Sequence, residues 1–421
     1  MKKSVKVRKI IFEILYEIHQ KSKNFDESFI KFTNNIVLND QERSMIYNVV
    51  LNSIRKNYFV ENILNKFLQK KTNIKIKILL LCAITQILYL DFKVYAVTND
   101  SVEVAKIKKL NPGLVNALLK NVINKSHTID KKTSNLNNFP QWLAKEFYKN
   151  KININEIIKS ISHEPSIHLV FKNKNFLEIF KEDHVKTTSS SAFITKGKKI
   201  RNIENYEKGH WWIQDLSSML PIYLSPEINS KKVLDLCAAP GGKAFQAICL
   251  NNNVILNDVS SRRIKILKNN LNRLSFKNEI KNLDVLDMQE KEKFDVIILD
   301  SPCSGVGTLR RNPDILFKKK PPNLIFLQKT QKGLINKAAR LLKKKGILIY
   351  MVCSFLHDET KDIKNKFLDE NSGYSQLRFD LNLNNKFKNF VDNDGDIFCF
   401  PSKFNNFMVD GFYATKFIKN D

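Results

Sequence analysis

VLDLCAAPGGKAFQAICL, residues 233–250, decides the fold. VLDL is a short apolar run of the kind a fully buried strand shows. CAAPGG is a loop of small residues, and AFQAICL has helical spacing. The same grammar recurs downstream. NVILND (253–258) is a second strand, followed by a helical RRIKILKNNLNRL (262–274). FDVIILD (294–300) is a third, GILIYMVCS (346–354) a fourth, and GFYATKFI (411–418) suggests a last. Strands alternating with helices predict a largely parallel sheet with crossover helices, an α/β Rossmann-like fold. Ligands of such a sheet bind beyond the carboxyl ends of its strands.

The first such end is the loop Cys237, Ala238, Ala239, Pro240, Gly241, Gly242 and Lys243. Two glycines let the backbone approach a ligand closely. The spacing is neither the dinucleotide fingerprint nor a Walker A loop, so dinucleotides and nucleoside triphosphates are disfavoured. A tight strand-to-helix turn would account for the glycines but not for the whole string. Asp258 closes the second strand, where a carboxylate can accept ribose hydroxyls or cap the following helix, or both. Loop and carboxylate together point to a nucleoside-containing cofactor poor in phosphate.

The third and fourth strands bring the chemistry. Asp300-Ser301-Pro302-Cys303 ends one and Val352-Cys353-Ser354 the other. One cysteine is usually a small core residue. Two at strand ends, on the cofactor's edge of the sheet, ask for a reaction. Carbon-5 of cytosine is too electron-poor to attack a methyl sulfonium directly. A thiolate adding to carbon-6 makes carbon-5 nucleophilic, which is covalent catalysis. The thiolate is the reactive form, so the site must lower the thiol's pKa or deprotonate it during attack. Asp300 is placed to steady ring nitrogen-3 and the exocyclic amine. Arg310 and Arg311, with the run Lys318–Lys320, can grip phosphates around an extruded nucleotide; a solvated face is the alternative for the lysine run.

Upstream the pattern is helical. IIFEILYEI (10–18), MIYNVVLNSI (45–54), FVENILNKFL (59–68), KILLLCAITQILYL (77–90) and LVNALLKNVI (114–123) carry apolar residues at helical spacing. In VYAVTNDSVEVAKIKK (94–109), Asn99 and Asp100 read as a cap region. Pro112-Gly113 breaks the pattern. KKTSNLNNFP (131–140) is a linker candidate; after it FPQWLAKEFYK (139–149) looks helical and SIHLVFK (166–172) strand-like. The reading gives an all-helical domain over 1–130, a linker with a small α+β connecting module over 131–205, and the α/β domain over 206–421.

The chain has 421 residues, a net charge of +28 and 43% hydrophobic residues, enough to bury a core. The charge fits a polyanionic partner, although AT-rich coding produces the same Lys/Asn/Ile excess. Six cysteines show neither CxxC nor zinc spacing, so no metal is expected. A chain of this size needs no disulfide staples, and a reducing cytoplasm is the expected compartment. Glu13 and Glu17 interrupt the only signal-like stretch, and ILLLCAITQILYL (78–90) is too short to span a bilayer, so no membrane segment is expected.

These residues resemble the RsmB/Sun group of bacterial ribosomal RNA cytosine-5 methyltransferases. DLCAAPGGK is similar to the family's cofactor loop, DSPCSGVGTLRRNPDI to its Pro-Cys motif, and VCS to its Thr-Cys-Ser motif. GHWWIQDLSSMLP (209–221) and DGFYATKFIK (410–419) resemble flanking segments, and AVTNDSVEVAK with GLVNALLKNVI resembles the attached NusB-type RNA-binding domain. The resemblance implies a class I methyltransferase domain using S-adenosylmethionine, bound by Cys237 through Lys243, by Asp258 at the ribose and by Asp284 near the adenine. It implies that Asp300 bridges cofactor and base, that Cys353 is the nucleophile, that Cys303 assists product release, and that Arg263 is structural. Val352 stands where the family favours Thr, and Glu359-Thr360 where it tends to Glu-Asn. The expected function is methylation of a cytosine in small-subunit (16S) ribosomal RNA by a monomer. The alternatives are a transfer RNA cytosine-5 methyltransferase and a catalytically silent RNA-binding factor.

Overall fold

Residues 1–164 and 309–321 form one compact unit, residues 165–308 and 322–421 another. The structure is a computed structural model and describes residues 2–68, 72–289, 293–379, 381 and 385–420.

The helical spacing of the first half becomes helices α1 (Lys3–Lys21), α2 (Phe25–Thr33), α3 (Asp40–Arg55), α4 (Asn57–Asn65), α5 (Ile74–Leu88), α6 (Val94–Ile107), α7 (Pro112–Asn124), α8 (Gln141–Lys149) and α9 (Ile154–Ile161). Ile10, Ile11, Ile14, Leu15 and Ile18 are all buried, as one face of a 3.6-residue period requires. Local chemistry sets the helix starts. Asn39 and Glu42 make a reciprocal capping box on α3. Pro112 sits in the first turn of α7 under the Asn111 cap. Asn99 and Asp100 depart from expectation: they lie inside α6, not at its cap. The reason is tertiary. Asp100 meets the Arg8 guanidinium at 2.6 Å, with both side chains 6% exposed, and Arg8 Nε donates to Gln86. The polar pair is spent partly on a buried ion pair.

The module expected over 131–205 is not a separate body. Its helical part, through Glu164, belongs to the first unit, and its strands to the second. Leu309–Pro321 also joins the first unit, where Phe25 N–H donates to Asp314 (3.3 Å) and Trp142 Nε1 donates to the Lys318 carbonyl (2.8 Å).

The second unit opens with a small antiparallel sheet of β1 (His168–Phe171), β2 (His184–Thr188), β3 (Ser191–Ile194) and β4 (Trp211–Ile213), in the order β2-β3-β1-β4, with α10 (Lys174–Glu178) between β1 and β2. Then come α11 (Leu216–Tyr223), β5 (Lys232–Asp235), α12 (Gly242–Cys249), β6 (Asn253–Asn257), α13 (Ser261–Arg273), β7 (Ile280–Lys281), β8 (Phe294–Asp300), α14 (Leu324–Leu341), β9 (Leu342–Val352), α15 (Lys361–Glu370), β10 (Tyr374–Leu377), β11 (Ile397–Cys399), a hairpin of β12 (Ser402–Phe404) and β13 (Phe407–Val409), and β14 (Phe412–Lys419). The main sheet runs β10-β14-β9-β8-β5-β6-β7, with β11 also on β14. Strands β7, β6, β5, β8 and β9 are parallel, and β14 is antiparallel to β9.

Period-2 alternation sorts the strands onto two cores. Val233, Val296, Ile298 and Met351 pack with α11, α12 and α13. Leu234, Ile297, Leu299 and Tyr350 pack with α14 and α15. A sheet covered on both faces reads as continuous apolar runs, which is what VLDL and FDVIIL show. Strand order reverses between β5 and β8, and the crevice beyond their carboxyl ends is where such a fold binds ligands.

No helix among the described residues is long and apolar enough to cross a membrane. The one group of acidic side chains close enough for a cation among them, Asp392, Asp394 and Asp396, is met by Lys361 and Lys364 ammonium groups at 2.7–3.3 Å.

Candidate active site

The loop after β5 turns sharply at Gly241, whose φ is +123°. A Cβ there would stand 1.9 Å from the Phe245 ring, so no other residue fits. Arg263, on α13, donates to the Ala239 carbonyl and pairs with Asp258 at 3.2 Å. Asp258 is 1% exposed and accepts from the amides of Ala239 (3.3 Å) and Ser260 (3.0 Å). Its carboxylate therefore braces the loop as well as standing at the strand end. Asp284 is exposed and accepts from Leu286 N–H at 2.9 Å.

Two carboxylates face this loop from strand ends. Asp300, at the end of β8, holds Lys243 Nζ at 2.7 Å. Asp235, at the end of β5, is buried and accepts from Cys237 N–H. Burial first, and then the charge of Asp300, push its carboxyl up to about 7. The same burial, with Asp235, Asp300 and Asp258 nearby, raises the Cys237 thiol far above its ordinary value and keeps it inert. Three acids against Lys243 and Arg263 make a poor phosphate site. They suit a ligand carrying positive charge, and the S-adenosylmethionine sulfonium and ammonium fit that donor set. Asp235 was missed in the sequence because it reads as one more strand residue. Its signal was a lone carboxylate closing an apolar run.

Cys303 and Cys353 come together: their sulfurs are 3.3 Å apart. Each lies just past the end of its strand, β8 or β9, which pair in parallel with Asp300 opposite Met351. Gly307 N–H donates to the Cys353 carbonyl at 3.0 Å, and Gly411 N–H to the Gly307 carbonyl at 2.8 Å. A Cβ on Gly307 would lie 2.0 Å from the Gly411 oxygen, so the glycine allows three backbones to meet. The Cys303 thiol is pushed well above its ordinary value, first by the hydrogen bond with Cys353, then by burial, then by the charges of Cys353 and Glu359.

Glu359 is fully buried and was not singled out as a site residue from sequence. It accepts from Ser304 N–H (2.8 Å), Ser304 Oγ, Ser354 Oγ (2.6 Å) and Gln331 Nε2 (3.2 Å). Its signal was its place in Glu359-Thr360, five residues past Ser354, where the resembled family tends to Glu-Asn.

One expectation is corrected. Arg310 is 2% exposed and offers no surface for a phosphate, whereas Arg311 is exposed. Lys318 is likewise engaged, donating to the Ser22 carbonyl and to Asn24.

A parallel sheet of this order with an inserted antiparallel strand, and a ligand loop after β5, is the Rossmann-like class I methyltransferase fold. Residues 221–418 match the family described as 16S rRNA methyltransferase RsmB/F, and residues 5–124 match the NusB family. Residues 221–418 thus form an RsmB/F-type methyltransferase domain, and an all-α NusB-family domain precedes it in the chain. It is similar to ribosomal RNA small subunit methyltransferase B of Photorhabdus laumondii, 27% identical over 88% of this chain and 92% of the relative. The Bacillus subtilis protein named "Probable ribosomal RNA small subunit methyltransferase B" is 26% identical over 98% of each chain. Among solved structures, PH0851 has a TM-score of 0.68 at 18% identity, covering 100% of this chain and 99% of that one. NSun6 from Pyrococcus horikoshii, solved with SFG, has a TM-score of 0.55 at 16% identity, covering 68% and 98%.

Proposed function

We propose that this protein transfers a methyl group from S-adenosylmethionine to carbon-5 of a cytosine in small-subunit ribosomal RNA, through a covalent bond between Cys353 and carbon-6. The observation that carries the reading is the pair of sulfurs 3.3 Å apart beside the loop after β5. The relatives named as small-subunit RNA methyltransferases over nearly the whole chain support the substrate class.

The residues divide the work as follows. Cys237 through Lys243, with Asp258 at the ribose and Asp284 near the adenine, hold the cofactor, which supplies an electrophilic methyl on a sulfonium when bound. Cys353 acts as the thiolate, the reactive form of a cysteine. Its thiolate adds to carbon-6, and the displaced π electrons collect at carbon-5. Asp300, positioned by Lys243, faces the base edge. Once Cys353 is bonded to carbon, it no longer holds Cys303 in thiol form. Cys303 can then ionise and take the carbon-5 proton. The electrons of that C–H bond restore the ring double bond, and the carbon–sulfur pair returns to Cys353. Arg311 is the phosphate contact. The cytoplasm, where ribosomal RNA is matured, is the compartment this chemistry needs.

The test uses tritiated-methyl S-adenosylmethionine, deproteinised small-subunit ribosomal RNA or transfer RNA, and nucleoside digestion. We expect 5-methylcytosine in ribosomal RNA from the wild type, none from Cys353→Ala, and a denaturation-resistant protein–RNA adduct from Cys303→Ala. Product on transfer RNA alone overturns the substrate, and an active Cys353→Ala overturns the nucleophile.

A further inference from the structure

We infer that Glu359 is a positioning residue of this site, a buried carboxylate that clamps the loop of Cys303 to the loop of Cys353 and holds their sulfurs in register. The clamp rests on geometry; its consequence for turnover rests on the two-thiol reading above.

Glu359 receives a donor from each side of the sulfur pair. Ser304, next to Cys303, gives its amide and its hydroxyl. Ser354, next to Cys353, gives its hydroxyl at 2.6 Å, and the two serine oxygens are themselves 3.3 Å apart. The fourth donor, Gln331 on α14, also donates to the Pro302 carbonyl at 3.0 Å, so the same amide grips the residue before Cys303. A carboxylate has about four acceptor positions, and here four donors use them. The backbone of Glu359 is held too: its amide donates to the Leu356 carbonyl at 3.0 Å, and Tyr350 Oη donates to its carbonyl at 2.8 Å.

These four donors are neutral. Burying a carboxylate on neutral donors is costly. A glutamine would keep one acceptor oxygen but not the charge. The groups facing Cys303 are Cys353, Glu359 and the phenol of Tyr350, with the Gly305 amide acting in the opposite sense. Glu359 is the one carboxylate among them. Its charge remains on Cys303 after Cys353 has bonded to the base, so it sets when Cys303 gives up its proton during product release.

The experiment uses the full chain carrying Glu359→Gln, Ser304→Ala, or Ser304→Ala with Ser354→Ala. Iodoacetamide alkylation of Cys303 and Cys353 is followed against pH by peptide mass spectrometry, without RNA or cofactor. In Glu359→Gln we expect Cys303 alkylation to begin about one pH unit lower, since a like charge near a thiol delays its ionisation. In Ser304→Ala, which keeps the charge, the onset should stay in place. Cross-linking of the two thiols by a short bifunctional reagent should slow in both the glutamine variant and the double serine variant. With RNA, Glu359→Gln should change the lifetime of the denaturation-resistant adduct while RNA affinity is kept. Unchanged alkylation and cross-linking in a folded Glu359→Gln overturn the inference. If that variant does not fold, cross-linking in the double serine variant decides: slower supports the clamp, unchanged overturns it. The thiol measurements use no RNA, so they stand or fall independently of whether the product is 5-methylcytosine.

Discussion

Cys303 and Cys353, 50 residues apart in the chain, place their sulfurs 3.3 Å from each other because β8 and β9 are parallel neighbours that end together. The proximity is a property of strand register, and it is fixed further by Gly307, where the loop backbone meets both Cys353 and Gly411.

Gly307→Ala should therefore act on catalysis through the backbone. The added Cβ would meet the Gly411 carbonyl at 2.0 Å, and a peptide cannot yield as a flexible side chain does. We expect a destabilisation of about 1–3 kcal/mol, typical of overpacking. Turnover should fall by about 10²-fold, as for a misplacement near 1 Å. Urea melts and methyl transfer on the same preparation check both.

Asp235→Asn should stabilise the ligand-free protein in a pH-dependent way. The folded carboxyl sits at about 7, above its ordinary 3.8. Between those values the folded state binds a proton that the unfolded state has lost, so wild-type stability falls as pH rises through that window. The asparagine carries no such loss. The Tm gap between variant and wild type should open from about pH 4 to pH 7 and then stay constant. S-adenosylmethionine affinity should drop in the variant, because a charge opposite the cationic ligand is gone. A gap independent of pH would show that Asp235 is ionised throughout.

In the helical unit, Asp100→Ala leaves the Arg8 guanidinium buried without its anion. Breaking a buried pair by removing one partner costs about 3–5 kcal/mol. A double Arg8→Met/Asp100→Leu variant should recover most of that loss, since apolar residues of similar volume carry no desolvation penalty. Chemical denaturation of the three chains separates these outcomes.

Arg310 and Arg311 should part company on substitution. Arg311→Ala should weaken RNA binding across sequences and lower the slope of log K against log salt by about one. Arg310→Ala, at a site 2% exposed, should instead lower stability. Equal salt slopes for Arg311→Ala and wild type would remove Arg311 from the interface.

The class of fold was legible because it rests on local periodicity. Runs such as VLDL and FDVIILD are buried on both faces of a parallel sheet, so each strand announces itself without reference to its neighbours. The loop after β5 was legible for a similar reason, since a positive φ at Gly241 and contact with Phe245 are short-range demands. The pair Asn99-Asp100 misled because the polarity of Asp100 is answered by Arg8, more than ninety residues away in the chain and on another helix, while Asn99 lies on the exposed side of α6. The burial of Arg310 was equally silent, as a charged residue after a glycine-rich loop reads as surface until the fold encloses it. Sequence alone thus supplied the helices, the strands and the chemical types at the strand ends. Tertiary structure decided which of those groups face each other, that Asp235 is held near neutrality and that Glu359 joins the cysteine loops, because burial and through-space charge depend on distances that no local pattern encodes.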